Sequence, residues 1–213
     1  MEQKQRIIVG ISGASGVVYG VRLLQILQKL PVETHLVMSK SAEVTLAYET
    51  DMKVAQVKAL ALPREFLGLL QAQIDLMNYE AYRSLASDRV HHLAGLSDTL
   101  RKLLDAAGKV DAARYDEARA LAATCRAMLG DVFADADVIL GPSAPGEAPR
   151  GLAATGDPIF CRIWTLLGVP AMSIPCSRGP NGLPVGVQLI GRIGDDARAV
   201  ALAEWLHLSF SQM

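Results

Sequence analysis

Cysteine is scarce in this chain of 213 residues. Cys125, Cys161 and Cys176 are odd in number, widely spaced and free of any CxxC pairing. That pattern excludes a disulfide framework and a thiolate metal cluster, and reads as buried free thiols. Charge of one sign is lacking too: 21 Lys and Arg against 22 Asp and Glu leave a net −1, with the signs interspersed. Such a surface carries no footprint for nucleic acid or an anionic membrane. No apolar run approaches membrane length, and Met1 to Arg6 enters a strand without the apolar core of a signal peptide. A cytoplasmic protein with neither nucleic-acid nor membrane partners is expected. Histidine is also sparse. His91 and His92 are adjacent, so their rings point apart and chelate one ion poorly, while His35 and His207 lack a nearby ligand, and no metal site is expected.

With 51% hydrophobic residues, the chain has ample material for a core. Arg6 to Ile11 is a β-branched run of the kind found in buried parallel strands. Val17, Val21, Leu24, Leu27 and Leu30 then recur at helical spacing. Between them, Ser12-Gly13-Ala14-Ser15-Gly16 places backbone N–H groups at a helix N-terminus, which suits an anion. The same loop reads equally as a tight turn with a serine cap. Its spacing is neither Gly-x-Gly-x-x-Gly nor a Walker loop. Thr34 to Met38 predicts a second strand, and Ser39-Lys40-Ser41 brings a hydroxyl to the carboxyl edge of the same sheet, where ligands of open α/β sheets sit. Glu49 and Asp51 close a following helical stretch and read either as a solvated helix end or as site carboxylates.

Ile8 to Gly16, Tyr19 to Leu24, Glu33 to Lys40 and Glu49-Thr50-Asp51 together resemble the opening of the flavin prenyltransferases, which join a dimethylallyl group to reduced FMN. The resemblance covers residues 1–61 and implies an FMN- or phosphate-binding βαβ-like segment. It implies Gly13, Ala14, Ser15 and Ser39 as FMN contacts and Glu49 as an acid/base residue. The family's later flavin loop, its downstream arginine and glutamate, and its prenyl-phosphate tyrosine and lysine have no counterpart here.

The rest of the chain has another character. Phe66, Leu69, Leu70, Ile74, Met77, Tyr82 and Leu85, then Leu96, Leu100, Leu103 and Leu104, predict packed helices, and Asp111 caps a further one running to about Phe133. Strands are predicted at 137–140, 171–175 and 185–190, the last two joined by the turn Arg178 to Gly182. Asp157 is placed to cap a helix starting near Pro158, with Trp164 in the core. A last helix spans 195–210, with Ala199, Leu202, Leu206 and Phe210 on one face.

Gly141 to Pro149, Thr155 to Phe160, Trp164 to Ala171 and Gly182 to Gly191 resemble the carboxyl-terminal part of the amidase-signature hydrolases, a likeness extending back to about residue 62. That family cleaves amides with a serine activated by a second serine and a lysine, and with backbone donors for the oxyanion. The Gly/Ser-rich signature carrying these groups is not found in this chain.

The expected fold is α/β, a three-layer-like mixed sheet with flanking helices, a Rossmann-like βαβ start joined to an amidase-type half. The expected function is an amidase-related segment, residues 62–213, fused to an FMN-binding start, catalytically incomplete as it stands. An FMN- or prenyl-phosphate-binding protein and a composite without selected function are the alternatives. A small-molecule flavin or phosphate is the expected ligand. Open strand edges favour homo-oligomers or aggregation.

Overall fold

A computed structural model describes residues 5–11, 20, 23, 24, 27, 32–38, 62–134 and 136–211. The chain forms two compact units, one made of residues 1–62 with 129–213 and the other of 63–128. The proposed division by ancestry near residue 61 is a separate matter from this division by packing.

The first unit is built on a five-stranded sheet of order β2-β1-β3-β5-β4. Its strands are β1 (Gln5–Ile11), β2 (Val32–Met38), β3 (Val138–Pro142), β4 (Ala171–Arg178) and β5 (Pro184–Ile190). β1 pairs in parallel with β2 on one side and with β3 on the other, while β5 runs antiparallel to both β3 and β4. Strands from both resembling segments thus share one mixed sheet.

The apolar runs explain its depth. Ile7, Val9, Ile11, Val138, Leu140, Ile174, Val187 and Leu189 face one layer, where Leu23 and Leu27 from the segment after β1 also pack. Ile8, Ile139 and Ile190, alternating with these, are buried as well, so the central strands lack a solvent face. Gly20 permits close helix–strand contact: a Cβ there would run into the Ile11 side chain. The last helix, here α7 (Asp196–Ser211), inserts Ala199, Leu202, Leu206 and Phe210 into the same layer, the four residues expected from its periodicity.

β4 is an edge strand, and Pro175 stands in it opposite Gly186. The Gly186 carbonyl accepts from the Ser143 N–H on the β3 side. A strand residue sends its N–H and C=O the same way, so Gly186 and Pro175 form a non-hydrogen-bonded pair and the Pro175 nitrogen faces outward. The missing donor and the register shift between Pro175 and Ser177 blunt this edge.

The second unit is helical. Its main helices are α1 (Leu69–Ser84), α2 (Ala86–His91), α3 (Asp98–Ala107) and α4 (Ala112–Ala127). α1 packs against α3 and α4. Asp111 caps α4, its carboxylate accepting from the Arg114 N–H at 2.8 Å, as its sequence position predicts. The buried stripe differs from the expected one. Met77 and Leu103 are exposed, while Ala72, Ala107 and Ala118 fill buried positions because small side chains let the helices approach. Asp75 is buried and held by the Arg114 Nε at 2.8 Å and the Gln71 amide at 2.9 Å. α4 ends at Ala127 and the short α5 (Leu129–Phe133) follows, so the single helix expected as far as Phe133 breaks at Met128, the border of the two units.

Candidate functional site

The first unit's parallel strands converge at one edge. Ile11 is level with Met38 in the β1–β2 pairing. The β1–β3 pairing matches Val9 with Leu140, and two residues further along the same register Ile11 meets Pro142. β1, β2 and β3 therefore present their carboxyl ends together, and in sequence a serine follows each: Ser12, Ser39 and Ser143. The expected FMN contacts Gly13, Ala14, Ser15 and Ser39 and the acid/base residue Glu49 lie outside the described residues.

What the described residues place at this edge is a pair of hydroxyls. Ser143 Oγ and Ser173 Oγ are 2.8 Å apart, one from the end of β3 and the other from β4. β5 separates those strands, and the hydroxyls meet over Gly186, where any Cβ would lie 3.0 Å from Ser173 Oγ and 3.1 Å from Ser143 Oγ. Ile174 and Val187 belong to the layer against α7, so Ser173 and Gly186, one residue earlier, face the opposite side. There stands α6 (Ile159–Leu167), with the Cys161 thiol 3.6 Å from the Ser143 carbonyl and the Phe160 carbonyl accepting from the buried Gln188 amide at 3.1 Å.

The loop after β3 is fastened by Glu147. Its carboxylate accepts from the Asn181 and Leu183 N–H groups at 2.9 to 3.1 Å and from the Asn181 side-chain amide at 2.6 Å. Desolvation pulls the Glu147 carboxyl upward, but these hydrogen bonds and the nearby Arg150 outweigh it and hold the group below its ordinary value. Asp157 accepts from the Ile159 N–H at 3.0 Å and so caps α6, while Trp164 is buried, both as expected. Burial raises the Cys176 thiol, outweighing the hydrogen bond from Val187, and makes it a poor nucleophile.

Chemically, the serine pair donates and accepts hydrogen bonds without charge. Among the described residues its hydroxyls bond to each other, and the pair contains no base. No group of three His, Cys, Asp or Glu among the described residues is arranged to hold a metal. His91 and His92 stand at 67° with ring centroids 6.4 Å apart. No described helix is long and apolar enough to cross a membrane. Sequence reasoning missed this pair, because the two residues are thirty positions apart and only the strand order brings them together. A serine directly after a strand that ends in Gly-Pro was the available signal.

Comparison with known proteins gives two likenesses. The sequence profile of the Amidase family matches residues 42–200. A flavin prenyltransferase of Thauera aromatica is 59% identical over 56 residues, 26% of this chain and 29% of that protein. A glutamyl-tRNA(Gln) amidotransferase chain of Cupriavidus necator is 45% identical over 78 residues, 33% of this chain and 16% of that one. Among solved structures, a crystal structure of an amidase aligns over 98% of this chain and 46% of its own, at 25% identity and a TM-score of 0.75. The chain therefore spans less than a third of these two curated relatives and about half of the amidase. The α/β architecture and the flavin prenyltransferase-like start agree with the reading of two joined segments. Since the family match takes in most of the sequence and the fold accords with it, the chain belongs to the amidase family.

Proposed function

We propose that this amidase-family chain is a flavin nucleotide-binding protein and that its 213 residues carry no amide hydrolysis of their own. The single observation supporting this most is the 59% identity of its opening to a flavin prenyltransferase. That stretch contains the β1–β2 pair, whose carboxyl ends are level. In this reading the phosphate of FMN lies on the backbone N–H groups of Gly13, Ala14 and Ser15, where a loop after a parallel strand suits an anion, and the Ser15 hydroxyl donates a further hydrogen bond to it. Ser39 contacts the flavin from the second strand, and Glu49 is the acid/base residue beside it. The segment from about residue 62 serves as the scaffold that completes the sheet. The family's serine–serine–lysine chemistry needs a lysine beside its serines, and the sequence carries no Gly/Ser-rich signature of the kind that supplies this set.

The test is spectroscopic. Purified protein titrated with FMN should quench flavin fluorescence saturably, and Ser15→Ala should weaken binding by about tenfold. Absence of saturable quenching at millimolar FMN would defeat the reading. Hydrolysis of a simple aryl amide that Ser15→Ala abolishes would replace it with a hydrolase whose nucleophile is Ser15.

A further inference from the structure

The strand order contains a reversal. From β1 the chain steps to β2 on one flank, whereas β3 pairs with β1 on the other. In open α/β sheets such a reversal opens a crevice outside the carboxyl ends of the strands, and ligands lie in it. Ser143 is the residue that follows β3 at this point, and its hydroxyl meets that of Ser173 at 2.8 Å. Ser173 is exposed and Ser143 half-buried, so the pair is accessible from the edge. The bare face of Gly186 is what makes room for the pair, since a side chain there would crowd both oxygens.

We propose that Ser143 and Ser173 form a subsite for the hydroxyl groups of a phosphorylated polyol, here the ribityl chain of FMN. This rests on the reading of the chain as a flavin nucleotide binder. Two serine hydroxyls bonded to each other keep one free proton and several lone pairs, so together they donate and accept. That matches an alcohol, which does both, and not a phosphate, which at neutral pH chiefly accepts and calls for a cation or several N–H donors. The pair comes from the amidase-like part of the chain, so the two resembling segments would share one ligand.

The experiment compares FMN with riboflavin, which keeps the polyol and lacks the phosphate. Ser143→Ala and Ser173→Ala should each weaken both flavins by the same factor, about three- to tenfold. Ser173 is on an exposed edge strand, so Ser173→Ala carries the test if Ser143→Ala fails to fold, and far-UV circular dichroism checks both variants. Unchanged binding in the variants overturns this subsite and leaves the FMN reading standing. A loss confined to FMN also overturns it, by moving the contact to the phosphate. Wild-type protein that binds neither flavin overturns both.

Discussion

Glu147 shows how one carboxylate can order a long loop. It ties the stretch after β3 to the turn between β4 and β5 through the Asn181 and Leu183 N–H groups. Because folding lowers its pKa, the charged form is favoured in the native state. The resulting stability is present above the unfolded carboxyl value of about 4.3 and is lost as pH falls through the lower folded value. The melting temperature should therefore drop between about pH 5 and pH 3, and Glu147→Gln should flatten that drop, as scanning calorimetry across the range will read. Asp75 is the opposite case, a buried carboxylate with a half-exposed guanidinium on it. Arg114→Leu leaves that carboxylate to Gln71 alone and should destabilise by about 1 to 3 kcal/mol in urea unfolding, the solvent exposure of Arg114 keeping the figure below that of a fully buried pair.

Among the elements, α7 is the one whose periodicity could be read directly. Ala199, Leu202, Leu206 and Phe210 recur at three- and four-residue steps, and all four are buried. Leu206 is fully enclosed, so Leu206→Ala should cost about 2 to 5 kcal/mol, whereas Val200→Ala on the exposed side should stay within about 0.5 kcal/mol. Chemical denaturation of the two variants checks both figures. The second unit was less legible. Its helices announce themselves, but alanines occupy the buried seam, and a count of large apolar residues misassigns Met77 and Leu103 to it. In the sheet, β4 carries a device that its sequence hides until the register is known. Pro175→Val restores an outward N–H and should raise the mass seen by light scattering while leaving the fold intact. An unchanged mass would show that this edge is protected by other means.

At the scale of the whole molecule, the nearly balanced charge matters more for handling than for partners. With a sequence pI of about 6.4, solubility should pass through a minimum near that pH, which a turbidity series will show. The two ancestries were legible because each leaves long ordered motifs. The Ser143–Ser173 contact was not, since it depends on β5 lying between the strands that bear them. The seam where the ancestries meet, β1 against β3, is a short parallel ladder of Ile7, Ile8 and Val9 with Val138, Ile139 and Leu140. Main-chain hydrogen bonds take no account of side-chain identity, and both strands offer only aliphatic surface to the layers above and below. The joint therefore asks little of side-chain identity beyond aliphatic bulk, but a replacement opening module would also need a residue as small as Gly20 beside Ile11 and apolar groups where Leu23 and Leu27 join the core.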